Sequence, residues 1–169
     1  MKRIFLLDSS GSMYERIDDT IGGFNAFVDE QKKDGKGGTL SLYTFSDHMK
    51  NVYKDTPIDE VQPMTTETYR PRGNTALYDS MGQILNEYED SEGIFVIMTD
   101  GEENASKKYT HAHVKDLVKR SKLTIIYAGA DIEDARSLNV PTVFGYNGAR
   151  TPDMFRLLSQ TVSASQEQN

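Results

Sequence analysis

An acidic residue and two serines alternate near the start of the chain. Asp8, Ser10 and Ser12 are separated by single residues, so an extended loop could direct their three oxygen atoms to one point. Gly11 would let the chain turn tightly between the two serines, because glycine has no Cβ. Taken alone, the pattern is also consistent with a hydrogen-bonded turn that caps a following helix.

Two further polar clusters carry a threonine and a second acid. Thr75 closes the segment Gly-Asn-Thr, and Asp100 lies between Thr99 and Gly101. By itself, Gly-Asn-Thr before a helix indicates an N-cap, and Asp-Gly after a strand is a common turn. The three clusters fall at the ends of separate predicted elements, and this joint position favours one shared site.

The shared site would offer a cation only oxygen ligands. They come from Asp8, Ser10, Ser12, Thr75 and Asp100. A hard cation such as Mg²⁺ binds oxygen atoms at about 2.0–2.1 Å in octahedral geometry and keeps several waters. Because only two of the five groups are carboxylates, the charge of the ion would be incompletely neutralised. We therefore expect an open coordination position that accepts a carboxylate from outside the protein.

The elements that must position these clusters can be predicted from apolar patterns. Residues 4–7 and 94–98 are continuous apolar runs, which are typical of parallel strands buried on both faces. Residues 39–45 and 49–54 favour a β-hairpin at a sheet edge. Two further strands are predicted at residues 123–128 and 140–144.

Helical spacing of apolar residues predicts helices between these strands. The stripes are Ile17, Ile21, Phe24 and Val28; Leu77, Met81, Ile84, Leu85 and Tyr88; and Val114, Leu117 and Val118. A short helix over residues 133–138 would have Asp131 as its N-cap, and Thr151 would open a last helix whose buried side carries Phe155, Leu158 and Val162. The polar residues from Ser163 onward are expected to fray.

Strands that alternate with helices of this length predict a doubly wound α/β fold. We expect about six strands in a mostly parallel sheet, with one antiparallel edge strand and helices on both faces. Residues 1–166 would form a single domain, followed by a polar tail at residues 167–169. In such sheets ligands bind beyond the carboxyl ends of the strands, where the three polar clusters are predicted to lie.

Composition restricts the classes of function that the chain can serve. Its 169 residues suffice for one domain with an ordinary core. The net charge of −7 disfavours general binding to nucleic acid or anionic membranes, because both need a basic face. The absence of cysteine excludes disulfides, thiolate zinc sites and cysteine nucleophiles. No apolar stretch suits a signal peptide or a bilayer span, so we expect a cytoplasmic location.

The three clusters resemble the motifs of a known family. Leu-Leu-Asp8-Ser-Ser10-Gly-Ser12-Met is similar to Asp-x-Ser-x-Ser, the metal-ion-dependent adhesion site motif of von Willebrand factor A domains. Gly-Asn-Thr75-Ala-Leu is similar to that family's threonine loop, and Met-Thr-Asp100-Gly to its aspartate loop. The pattern of strands and helices agrees over nearly the whole chain, which resembles the short stand-alone bacterial and phage members.

This resemblance implies a metal-dependent protein-binding module, not an enzyme. It implies that Mg²⁺ or Mn²⁺ lies at the top of the sheet. Asp8, Ser10, Ser12 and Thr75 would hold the ion, with Asp100 as a direct or water-mediated ligand. A protein partner would present an Asp or Glu that completes the coordination. The resemblance does not identify that partner.

Other side chains are predicted to lie around the same edge and to select the partner. Arg70 and Arg72 precede Thr75 and would bind the partner's carboxylate, while a solvated loop surface is the alternative for each rim residue. The predicted rim consists of Tyr14, Glu15, Tyr69, Arg70, Arg72, Glu102, Glu103 and Asn104. His111 and His113 are predicted to be solvated and not zinc ligands, because only one residue separates them at a helix start.

Two other classes of function compete with this interpretation. A strand-end aspartate also begins the site of haloacid dehalogenase phosphotransfer enzymes, but Ser10 stands here in place of their second acid. The other class is an accessory subunit of a larger AAA+ or stress-response machine. The chain has no Gly-rich ATP-binding loop with a lysine, so any motor would be another chain.

Overall fold

A computed structural model describes residues 1–100, 102–129, 132–145 and 151–167 of the chain. The strands are β1 Lys2–Asp8, β2 Thr39–Phe45, β3 Met49–Pro57, β4 Gly93–Thr99, β5 Leu123–Gly129 and β6 Thr142–Gly145. The α-helices are α1 Ile17–Lys33, α2 Leu77–Glu87, α3 His111–Arg120, α4 Ile132–Ser137 and α5 Thr151–Glu167. Short 3-10 helices cover Gly11–Arg16 and Ile58–Glu60.

The strands form one sheet in the order β3-β2-β1-β4-β5-β6. Neighbouring strands are parallel except for β2 and β3, which are antiparallel. The predicted mixed sheet with one antiparallel edge is therefore confirmed. Strands β1 and β4 are adjacent at its centre, with Leu7 opposite Met98. Strands β2 and β3 lie on one side of this pair and β5 and β6 on the other, so the carboxyl ends of β1 and β4 mark the switch point of the fold.

The middle residues of the two central strands, 4–7 and 94–98, are apolar because helices cover both faces of the sheet. Phe5 and Leu7 of β1 belong to a core cluster shared with α1 and α5. Ile4 and Leu6 point to the opposite cluster, which α2 and α3 complete. The Phe5 ring lies edge-on to Phe24 of α1, with ring centroids 5.5 Å apart. Alternate residues of one strand thus anchor two helical layers.

The edge hairpin turns at Ser46, whose N–H donates to the His48 carbonyl at 3.0 Å. Strand β3 is only half-buried along its length, as expected for an edge strand, and it runs to Pro57, three residues beyond the predicted end.

Two further predicted boundaries were wrong. Strand β6 begins at Thr142 and not at residue 140, because the Val140 N–H donates to the Ala135 carbonyl at the end of α4 and Pro141 has no N–H. The segment after Ser163 does not fray at once, because α5 continues to Glu167. Ser163 contributes to this order by donating to the Asp34 carboxylate at 2.7 Å. The predicted N-cap Asp131 lies outside the described residues. Among the helices that the structure describes, none is both long and apolar enough to cross a bilayer.

Candidate metal centre

Two adjacent parallel strands deliver the two acids of the predicted site to one edge of the sheet. Asp8 is the last residue of β1, and Asp100 follows Thr99, the last residue of β4. Because β1 and β4 pair in parallel, their carboxyl ends lie side by side. The sheet therefore brings together two carboxylates that are 92 positions apart in the sequence.

Hydrogen bonds join four of the five predicted ligands. The Ser10 N–H donates to Asp8 Oδ1 at 2.7 Å, and the Ser10 and Ser12 hydroxyl oxygens lie 3.1 Å apart. The Ser12 hydroxyl donates to Asp100 Oδ1 at 2.8 Å. The alternating spacing of the first cluster therefore directs its oxygens to one place, as predicted, and Asp100 faces them.

The loop that carries the fifth ligand is attached to the first loop through backbone groups. The Gly11 N–H donates to the Gly73 carbonyl at 3.0 Å, and the Arg72 N–H donates to the Ser9 carbonyl at 2.8 Å. Gly73 has a φ of 76°, and a side chain there would collide with the Asp47 carboxylate. Thr75 follows two residues later and is buried. Its loop is thus fixed beside the first cluster.

Asp8 is fully buried, and its charge has no basic partner among the described residues. Burial raises the pKa of the Asp8 carboxyl above its usual range, and the nearby Asp100 charge raises it further. Hydrogen bonds from Ser10 and from Thr99, whose hydroxyl donates to Asp8 Oδ2 at 2.5 Å, oppose this rise only in part. A buried carboxylate without a counter-charge is costly, so the arrangement favours a cation.

The donor set fits a hard divalent cation. It consists of neutral hydroxyls and two carboxylates, with no nitrogen or sulfur ligand. No group of three or more His, Asp or Glu side chains placed to hold an ion occurs in the described part of the chain. A metal at this edge would therefore depend on the serine and threonine hydroxyls, which the predicted motif supplies.

The predicted rim residues divide into exposed and structural groups. Tyr14 is 70% exposed, and Glu15, Arg70, Arg72 and Glu102 are also exposed. Tyr69 was wrongly placed in the rim, because only 1% of it is exposed. Its hydroxyl donates to the Asp8 backbone carbonyl at 2.6 Å, so Tyr69 stabilises the start of the first loop from within the core.

Glu103 and Asn104 hold the loops of the site together. Glu103 Oε1 accepts the Tyr78 N–H at 2.9 Å at the start of α2. Asn104 Oδ1 accepts the Thr75 N–H at 2.9 Å, and the Thr75 carbonyl accepts the N–H of Asn104 and of Ala105. These contacts connect the loop after β4 to the threonine loop.

Two residues that contact the acids were not predicted from the sequence. Thr99 binds Asp8, and its position directly before Asp100 was the available signal. Arg16 Nε lies 3.2 Å from Asp100 Oδ2, and nothing in the spacing of the motif indicates that contact. The histidines do not form a metal pair: His111 Nε2 lies 2.6 Å from Ser137 Oγ, and the His113 ring lies against Tyr109.

No protein-family model matches the sequence, and no curated protein matches it. Solved structures do match the fold. Proximal thread matrix protein 1 from the mussel byssus, with a zinc-occupied MIDAS motif, is 17% identical with a TM-score of 0.64, over 94% of this chain and 45% of that one. The ArnB paralog VWA2 from Sulfolobus acidocaldarius is 15% identical with a TM-score of 0.67, over 96% and 44%.

A third solved structure matches over nearly the whole of both chains. The vWF domain of the type V pili tip protein Mfa5 from Porphyromonas gingivalis is 12% identical with a TM-score of 0.73, over 97% of this chain and 95% of that one. The chain spans less than half the length of the mussel and Sulfolobus chains. This protein is an α/β domain whose loops bring hydroxyl and carboxylate oxygens together at its switch point. Its fold is that of the von Willebrand factor A domains, as the sequence motifs predicted.

Proposed function

We propose that this domain holds Mg²⁺ or Mn²⁺ and binds a protein partner through that ion. Asp8, Ser10, Ser12, Thr75 and Asp100 would hold the metal, and an Asp or Glu of the partner would complete its coordination. The observation that carries the proposal is the hydrogen-bonded row from the Ser10 hydroxyl through the Ser12 hydroxyl to Asp100, beside the buried Asp8. The zinc-occupied MIDAS motif of the mussel protein supports a divalent ion in this fold.

The charge balance explains why such an ion would bind a partner. Three of the five ligands are neutral hydroxyls, so two carboxylates balance the divalent charge only if both bind directly. An ion with one acid in its outer shell keeps electrophilic character and attracts a further anion. Exposed Arg70 and Arg72 would bind the same carboxylate from the rim. We propose a cytoplasmic location and a non-catalytic role. The non-catalytic role rests on Ser10, which stands where a phosphotransfer enzyme would need an acid.

The experiment is a pull-down with immobilised wild-type domain and Asp8→Ala, each with Mg²⁺ and with EDTA. We expect a partner that only wild type retains, and only with Mg²⁺. A partner retained equally in EDTA would show that adhesion does not use the ion. Hydrolysis of generic phosphoesters by wild type but not by Asp8→Ala would instead indicate phosphotransfer.

A further inference from the structure

An open cleft adjoins the candidate metal centre on the side of β2 and β3. It encloses about 1020 Å³. Three segments line it: the β2–β3 turn, the loop that leads to α2 and the loop that leads to α3. Ser9, which lies between two predicted ligands, also belongs to the lining, as does Asn104, which binds the Thr75 backbone. The cleft therefore adjoins the loops that carry the predicted metal ligands.

The cleft is basic, although the whole chain carries a charge of −7. All of its lysine and arginine side chains are exposed. They are Lys50, Arg70, Arg72, Lys107 and Lys108, against the three carboxylates Asp47, Glu67 and Asp79. An acidic protein that gathers five cationic side chains around one cleft presents a local surface for anions.

Two of the three carboxylates accept hydrogen bonds from backbone N–H groups. Asp47 Oδ2 accepts the Asn74 N–H at 3.2 Å. Asp79 accepts the N–H groups of Lys107, Lys108 and Tyr109 at 2.8–2.9 Å. These bonds compensate the acids locally, and those from Asp79 also fix the two lysines at the wall of the cleft.

We propose that this cleft binds an acidic peptide segment of the partner. Several Asp or Glu residues would flank the one that completes the metal coordination and would pair with the basic side chains of the cleft. The inference rests on the proposed function, because the metal-binding residue sets where the segment begins. It adds the chemical class of the partner: a protein with a run of acidic residues in an extended segment.

The lining favours a peptide over nucleic acid. Among its described lining residues the cleft has one aromatic ring, that of His48, and no Phe, Tyr or Trp, so it lacks the row of rings on which successive bases would stack. Its basic residues surround one bounded cleft and do not form the extended basic face that a polynucleotide needs. A single peptide could also supply both the carboxylate that binds the ion and the flanking carboxylates that pair with the basic side chains.

Two labelled peptides test the proposal by fluorescence anisotropy. One carries a single Glu among Gly and Ser, and the other carries several Glu residues in the same background. Both are titrated with wild type and with Lys107→Gln/Lys108→Gln, in Mg²⁺ and in EDTA. The matched control is Lys115→Gln/Lys119→Gln, which removes two exposed lysines of α3 outside the cleft. The backbone bonds to Asp79 survive in the cleft variant, and thermal melting checks that it folds.

We expect the Glu-rich peptide to bind the cleft variant about tenfold more weakly than wild type or the control, as for complementary charges lost at an interface. The single-Glu peptide should bind all three proteins alike. Equal affinity of the Glu-rich peptide for the cleft variant would overturn the proposal. An oligonucleotide that binds more tightly than this peptide would overturn it in favour of nucleic acid, and no peptide binding at all would overturn it outright.

Failure of the acidic-peptide proposal and failure of the metal-dependent function would give different results. Binding that persists in EDTA but is lost in the cleft variant would retain the acidic-peptide cleft and contradict the metal-dependent function. Binding that needs Mg²⁺ but ignores the lysines would do the reverse.

Discussion

Arg16 and Asp100 form an ion pair at the edge of the candidate metal centre, with Arg16 Nε 3.2 Å from Asp100 Oδ2. The other oxygen of the same carboxylate accepts the Ser12 hydroxyl. Of the two acids in the site, Asp100 therefore has a cationic neighbour, whereas Asp8 is buried without one among the described residues. A divalent ion that binds here would compete with the Arg16 guanidinium for Asp100.

We expect Arg16→Gln to bind Mg²⁺ more tightly than wild type. The pair is partly exposed, so its loss should change binding by about 0.2–1 kcal/mol, up to about fivefold in affinity. Calorimetric titration measures the change. Arg120→Gln, which removes an exposed arginine paired with Asp116 on α3, is the control. Weaker binding by Arg16→Gln would instead mean that Arg16 orders the site.

Asp8→Asn should abolish the metal-dependent part of thermal stability. A tenfold excess of Mg²⁺ over its Kd should stabilise wild type by about 1.4 kcal/mol, and the variant should not respond. In EDTA the variant should melt higher than wild type, because it removes a buried charge and its amide keeps the Ser10 bond. Melting curves in Mg²⁺ and EDTA test both statements. An equal response of the two proteins to Mg²⁺ would place the ion elsewhere.

The pH dependence of this difference has a defined sign. Because the folded-state pKa of Asp8 is raised, the folded protein binds more protons than the unfolded chain above the ordinary carboxyl pKa. Metal-free wild type should thus lose stability relative to Asp8→Asn as pH rises from the unfolded pKa through the raised folded value. Melting in EDTA across this range checks the sign, and a difference that grows toward low pH would contradict it.

Asp79 should show the opposite dependence. Burial acts to raise its pKa, but the three backbone N–H bonds outweigh burial and lower it. The stability it contributes should be present at neutral pH and lost as pH falls from the unfolded pKa through the lowered folded value. Asp79→Asn should cost about 1–3 kcal/mol at neutral pH, measured by urea unfolding. The cost should shrink in acid, and a constant cost would contradict the ionic role.

Tyr69→Phe should destabilise the domain by about 1–2 kcal/mol in urea unfolding, because the buried Asp8 carbonyl loses its hydroxyl donor. Tyr53→Phe is a matched control, since the Tyr53 hydroxyl donates to the Gln62 carbonyl at an exposed edge. Equal losses in the two variants would show that the buried bond has no special weight.

The sequence determined the fold and identified the candidate ligands through local patterns. Continuous apolar runs identified β1 and β4, because these strands are buried on both faces. Apolar residues at helical spacing identified α1 and α2, because these helices are buried on one face. Alternation of Asp8, Ser10 and Ser12 predicted their convergence, since three oxygens in an extended loop can share one target.

Tertiary structure decided what depends on residues distant in the chain. The contact between Arg16 and Asp100, the burial of Tyr69 beneath Asp8 and the basic cleft between three loops leave no period or spacing in the sequence. Each arises from the packing of segments that adjacent strands and backbone hydrogen bonds bring together. The start of β6 and the end of α5 were mispredicted for the same reason. A hydrogen bond from Val140 to Ala135 and the contact of Ser163 with Asp34 set these boundaries, and apolar periodicity is insensitive to both.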